Sequence, residues 1–221
     1  MRLMGLRSTL SNGYGFSLIE LLVAMAVSTI VMAGICTAYY SQHRSYITQE
    51  QVSAMHQNLR SALYFVEREI RMAGYDPSGV SNAGIITGAA GAIRFTLDLN
   101  GDGDTNDSNE DITCSLYDYK GDGDNDLGRK DGAGDYQAVA ENIDALNFVY
   151  LDKDRNVTAE LPDVRSVQVT LVARSARADE GYTDTTNYTN QQGIQILSGQ
   201  NDNFRRRRLT TEIKCRNLGL N

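Results

Sequence analysis

Between Asp98 and Asp135 the chain places twelve of its 28 acidic residues, only three basic ones, and seven glycines. The stretch opens Asp98-Leu99-Asn100-Gly101-Asp102-Gly103-Asp104-Thr105-Asn106-Asp107-Ser108-Asn109-Glu110. Calcium loops space oxygen ligands at positions 1, 3, 5, 7 and 9 and turn on a glycine at position 6. Counted from Asp98, those places fall on Asp98, Asn100, Asp102, the carbonyl of Asp104, and Asn106, with Gly103 at the turn. Position 12 is Asn109 rather than a bidentate Glu, so Asp107 or Glu110 would have to complete the shell. A second cluster, Asp118, Asp122, Asp124, Asp126 and Asp131, is the weaker candidate because Lys120 disturbs its spacing. The competing reading is a solvated acidic loop. Repulsion among neighbouring carboxylates counts against it unless a cation compensates.

Other reactive side chains are sparse. His43 and His56 are the only histidines, thirteen residues apart and without a cluster of partners, so surface helix positions are expected of them. Cys114 and Cys215 could form a disulfide or stand as two buried thiols, and Cys36 falls in an apolar run that keeps it from joining them. Arg205 to Arg208 form a basic run. Successive strand residues point to opposite faces, however, which splits such a patch and favours solvation or ion pairs to the acidic loops. With 21 basic against 28 acidic residues and a net charge of −7, the chain is not built mainly to grip nucleic acid. No Ser-His-Asp set, P-loop or zinc pattern is present, so catalysis has no visible support.

The elements that must carry these groups begin with residues 16–40, FSLIELLVAMAVSTIVMAGICTAYY. Twenty-five residues with Glu20 as the one charged side chain are enough to cross a bilayer, which needs about 20. Residues 1–15 carry Arg2 and Arg7 and no acid, so the N-terminus is expected to stay in the cytoplasm and residues 41–221 to be exported. A carboxylate within the span costs about 2.5–3.5 kcal/mol on insertion scales, less near the interface, and such a group usually has a partner. A plain single-span anchor leaves Glu20 unexplained.

Gly15-Phe16-Ser17-Leu18-Ile19-Glu20-Leu21-Leu22 closely resembles the processing site of type IV prepilins. The resemblance implies cleavage by prepilin peptidase between Gly15 and Phe16, N-methylation of Phe16, and pairing of the Glu20 carboxylate with the N-terminal amine of a neighbouring subunit during assembly. Opposite charges brought into an apolar fibre core each need the other. Pilins often kink this helix with a proline, and none occurs here. In the remainder, Ala140–Tyr150, Val164–Val169 and Phe204–Thr211 look like minor pilins of the PilW type, with the J-type pseudopilin of type II secretion as nearest relative. The K-type pseudopilin lacks a glutamate at the place of Glu20, which argues against that subtype.

Beyond the span, Val52, Met55, Leu59, Ala62, Leu63, Val66, Ile70 and Ala73 recur at steps of three and four, one helical stripe that stops at Gly74 and Pro77. A single helix over 16–72 would be about 85 Å long. Strands are expected at Ile93–Leu97, Ile112–Tyr117, Leu146–Leu151, Val167–Ala173 and about Arg208–Arg216. The expected fold class is therefore α+β and type IV pilin-like: a long N-terminal helix packed on an antiparallel sheet head. Its expected parts are a leader (1–15), a membrane or fibre-core helix (16–40), an amphipathic half-helix (41–74) and a globular head (75–221) carrying acidic loops over 98–135. The function expected is that of a non-enzymatic minor pilin stored in the inner membrane and then moved to the pilus. Its expected partners are prepilin peptidase, other minor and major pilins and the inner-membrane assembly machinery, with calcium as the one candidate cofactor. A J-type pseudopilin is the alternative within this class. A membrane-tethered, calcium-dependent adhesion module is the alternative outside it.

Overall fold

The computed structural model of the chain describes residues 15–219. The expected leader thus lies, but for Gly15, outside the described residues. Contacts divide the chain into two compact units that meet between Ile47 and Thr48. One helix, α1 (Leu18–Met72), contributes to both.

In the first unit the helix buries nothing. Its side chains from Leu18 to Tyr46 stand exposed, and it is long and apolar enough to cross a membrane.

In the second unit the periodic stripe turns inward as its spacing predicts. Met55, Leu59, Ala62, Leu63, Val66, Ile70 and Ala73 are buried in one core with residues from two sheets. Each of the Met, Leu, Val and Ile side chains among them, when fully buried, contributes about 1.5–3 kcal/mol. The helix stops at Ala73-Gly74, where the Gly74 N–H leaves the helical ladder and donates to the Thr96 carbonyl at 3.0 Å. A side chain at Gly74 would run into Leu218.

Five strands form an antiparallel meander in chain order: β1 (Ile85–Gly88), β2 (Ala92–Thr96), β3 (Asp111–Tyr117), β4 (Asp126–Asp131) and β5 (Gln137–Ala140). Asn142 then adopts a left-handed backbone (φ 60°) and redirects the chain. The next strand, β6 (Ile143–Leu151), therefore starts a separate antiparallel sheet ordered β10-β7-β6, with β7 at Ser166–Arg174 and β10 at Arg206–Lys214. The single sheet expected from sequence is thus two, both facing the helix stripe through Ile93, Phe95, Ile112 and Leu127 on one and Phe148, Val169, Leu171 and Ile213 on the other. A short hairpin, β8 (Tyr188–Thr189) with β9 (Gln195–Leu197), lies in the long connection from β7 to β10. That connection covers the second face of the three-stranded sheet. Val172 and Ala145 pack with Tyr188, and Gln168 accepts a 2.7 Å bond from Gln192.

Candidate functional site

The first site is the start of α1. Ser17 is the last residue before the helix, and Glu20 lies three places on. The Glu20 carboxylate accepts the Ser17 backbone N–H at 2.8 Å and its hydroxyl at 2.9 Å, while the Ser17 hydroxyl accepts the Glu20 N–H at 3.3 Å. This is a reciprocal capping box: two N–H groups that the helix cannot satisfy internally are satisfied by one Ser-x-x-Glu pair. Phe16 is 88% exposed beside it. Glu20 therefore has a partner within its own chain, which sequence reasoning did not supply, although the Ser17-Leu18-Ile19-Glu20 spacing is itself the signal.

The second site is a pair of loops, one on each side of β3. Asp98 is fully buried, and its two oxygens accept the N–H of Gly101 (2.6 Å) and of Gly103 (3.1 Å). Asp118 accepts the N–H of Gly121 (2.6 Å) and of Gly123 (3.1 Å) in the same way. The four glycines all hold positive φ, between 69° and 93°, which makes the backbone N–H groups converge on one carboxylate. The loops are structural copies set twenty residues apart, Asp98-x-x-Gly-Asp-Gly-Asp104 and Asp118-x-x-Gly-Asp-Gly-Asp124. That heptad recurrence is legible in the sequence as two copies of one Asp-x-x-Gly-Asp-Gly-Asp pattern.

The copies differ in how their acids are used. In the first, Glu110 is buried and accepts the N–H of Leu99 at 2.8 Å, with longer bonds from Asn100 (3.4 Å) and Asp107 (3.3 Å). The Asn100 amide nitrogen bridges Asp102 (3.1 Å) and Asp107 (2.7 Å), and the Asp104 carboxylate accepts the Asn106 N–H at 2.9 Å. The predicted ligands are thus brought into one loop, but they are largely engaged with one another. In the second, Asp118, Asp122 and Asp124 bring carboxylate oxygens within 4.8 Å of one another, and the trio could hold a metal. Lys120, expected to spoil this loop, points instead to Glu141 at 2.8 Å. Asp124 also pairs with Arg174 at 2.5 Å, beside a cavity of about 350 Å³. Among the described residues the second loop gathers such a carboxylate trio, with Lys120 at its rim on Glu141, while the acids of the first loop are engaged by their own amide and backbone donors.

Cys114 and Cys215 are both buried and stand as free thiols in this structure. Burial pushes each thiol up to about 12. The arginine run is taken up by ion pairs and polar contacts: Arg205 with Asp179, Arg206 with Asp144, Asp184 and Asp202, Arg207 facing His56, and Arg208 on the Thr189 carbonyl.

An exposed apolar helix capped by a glutamate, followed by a half-helix buried under antiparallel sheets, defines a type IV pilin-like protein. Comparison with solved structures agrees at the level of fold: a type IV-like pilin from Thermus thermophilus superposes with a TM-score of 0.50, at 14% identity, over 75% of this chain and 98% of its own. Residues 10–35 match the prokaryotic N-terminal methylation motif, and residues 104–217 match type IV pilus-assembly protein W. The chain belongs to that PilW family, and its role is that of a minor pilin of the type IV pilus. Curated proteins yield no match.

Proposed function

We propose that this minor pilin is made with a leader over residues 1–15 and is stored in the inner membrane through residues 16–40, N-terminus in the cytoplasm and residues 75–221 in the periplasm. Residues 41–74 are then the amphipathic half of the helix. Prepilin peptidase cuts between Gly15 and Phe16 and methylates Phe16, and Glu20 then meets the amine of a neighbouring pilin. The role is structural: the subunit primes or enters the fibre with other minor and major pilins and the inner-membrane machinery. The observation that carries this reading is the carboxylate of Glu20 placed one turn after Phe16 on a helix whose stretch from Leu18 to Tyr46 buries none of its apolar surface. N-terminal sequencing and intact mass of the membrane-extracted protein are expected to show methylated Phe16. The loss of Arg2 and Arg7 leaves 19 basic against 28 acidic residues, net −9. Gly15→Ala is expected to accumulate as uncut precursor. A full-length chain in purified fibres would sink the processing claim.

Calcium is the cation we assign to the two acidic loops, supported by the oxygen-only donor set and the gathered trio Asp118, Asp122 and Asp124. Exported modules hold calcium with Kd of about 10⁻⁴–10⁻³ M. A ligand bound only by the folded state adds about 2.7 kcal/mol at a hundred times Kd. Titration calorimetry and thermal melts on the detergent-solubilised chain are expected to show binding and a raised Tm, with magnesium doing less. Asp118→Asn with Asp122→Asn should remove one site, and Asp98→Asn with Asp102→Asn the other. No heat and no shift at millimolar calcium would return both loops to solvated acid, with the pilin assignment untouched.

A further inference from the structure

The apolar face of the first unit does not end abruptly. It ends in aromatics. Tyr39, Tyr40 and Tyr46 are all more than 60% exposed, and Tyr39 stacks on His43 with ring centroids 5.9 Å apart and planes 3° from parallel. Tyr39, His43 and Tyr46 fall at i, i+4 and i+7, and Tyr40 with Ile47 at i and i+7, so all five occupy about a third of the helix circumference. Arg44 follows on the adjoining flank, the first basic side chain after the leader.

We infer that this tyrosine face is a lipid-contact surface that seats in the phospholipid headgroup layer on the exported side and fixes the depth of the helix in the membrane. The inference rests on the membrane-anchored reading above and adds to it a surface and a depth. Tyrosine suits that place because its ring is apolar and its hydroxyl needs water or a headgroup. The lengths agree. From Glu20 to Tyr39 the helix rises about 29 Å, close to the ~30 Å hydrocarbon thickness. The further rise from Tyr39 to Tyr46, about 10 Å, is of the order of a headgroup layer with the reach of a tyrosine added. With Tyr39 at the exported boundary, Glu20 stands at the cytoplasmic boundary instead of mid-membrane. The charge that a plain anchor leaves unexplained then lies where insertion costs least. The side chains between them, Leu21 to Ala38, include no ionisable group except the Cys36 thiol.

The chain has no tryptophan, so single substitutions report depth without background. Tyr39→Trp, Tyr46→Trp and Ile30→Trp would each be reconstituted, in the full chain, into phosphatidylethanolamine/phosphatidylglycerol vesicles carrying bromines at shallow or deep acyl positions. Ile30→Trp should be quenched most by deep bromines. Tyr39→Trp should be quenched most by shallow ones, and Tyr46→Trp more weakly but still by shallow ones. Replacing Tyr39, Tyr40 and Tyr46 by Leu in the Ile30→Trp background should change the deep-to-shallow quenching ratio at least twofold as the helix loses its depth marker. Quenching of Ile30→Trp with none at positions 39 and 46 would overturn the inference, leave the membrane anchor standing, and make a neighbouring subunit the occupant of this face. No quenching at position 30 would remove the anchor and the inference together. An unchanged ratio in the triple Leu variant would overturn the depth-setting role.

Discussion

Glu20 has two jobs within reach, and they separate by substitution. As the fourth member of Ser17-Leu18-Ile19-Glu20 it closes the capping box. As a carboxylate it is the proposed counter-charge for a neighbour's amine. Glutamine can occupy the same place in a capping box but carries no charge. Glu20→Gln and Glu20→Ala should both insert and both be processed, since losing a charge eases burial in lipid, and both should be depleted from sheared fibres relative to the membrane fraction. Ser17→Ala, which loses cap energy of about 0.5–2 kcal/mol and no charge, should still enter fibres. If Glu20→Gln incorporates like wild type while Glu20→Ala does not, the cap and not the charge is the requirement. At this scale the sequence is informative because both jobs are local: six consecutive positions, Gly15 to Glu20, carry the cap and the cleavage motif. The calcium-type spacing was legible for the same reason. The diversion of Lys120 to Glu141 was not, since it depends on a residue 21 positions away that only folding brings near.

At the scale of elements, what the chain reveals is what each strand does on its own. Five strands with alternating or apolar patterns are found within two or three residues of their expected places. β4 was not legible, because Asp126-Leu127-Gly128-Arg129-Lys130-Asp131 reads as more of the acidic loop and becomes a strand only by pairing with β3 and β5. β7 was legible as a strand but not as one buried on both faces. Gln168 and Thr170 look like solvent positions until the β7–β10 connection covers them. Gly128 is where β4 depends most on its neighbours: a Cβ there would sit 2.5 Å from the Tyr117 ring and 2.9 Å from that of Tyr136, two rings stacked at 5.1 Å. Gly128→Val must displace that pair, and overpacking of this kind costs about 1–3 kcal/mol. In the opposite direction, Leu59→Ala opens a hole under both sheets and should cost about 2–5 kcal/mol. Chemical denaturation of the two variants should show lowered midpoints. An unshifted midpoint for Gly128→Val would mean that the tyrosine pair yields without cost.

At the scale of the whole second unit, one guanidinium gathers several of the acids that fasten the β7–β10 connection to the sheet. Arg206, whose side chain is 3% exposed, meets Asp144 of β6 at 2.5 Å, Asp202 at 2.6 Å and Asp184 at 3.2 Å, and Asp184 is itself fully buried and accepts the Tyr188 hydroxyl. The acids respond differently. At Asp184 burial opposes the charge, but bonds from Thr186 and Arg206 outweigh it and hold the carboxyl below its ordinary range. The bonds from Arg206 do the same for Asp202. At Asp144 burial wins, and the carboxyl is raised despite Arg206 and Arg174. Carboxyls held low add stability that is complete above the unfolded value near 3.9 and is lost as pH falls through their depressed folded values, so the Asp184 and Asp202 contribution fades below about pH 4. Asp144 runs the other way and is relieved on protonation.

Arg206→Met would keep much of the packing volume, take the Arg206 bond from buried Asp184, and leave half-buried Asp144 with Arg174 at 3.7 Å as its remaining ion pair. The loss at pH 7 should be about 3–5 kcal/mol, the cost of breaking a buried pair from one side. The pH dependence then discriminates between mechanisms. In the variant Asp184 loses one of the bonds that hold it low and Asp144 is raised further, so a fall in pH costs the variant less than it costs the wild type. The gap in melting temperature between the two proteins should therefore be widest near pH 7 and close progressively toward pH 4. A gap of constant size across that range would show that Arg206 acts through shape alone and that its three carboxylates do not fasten the connection. The four-arginine run, which in the sequence resembles a surface patch, would then be left without an electrostatic reason for burying its second member.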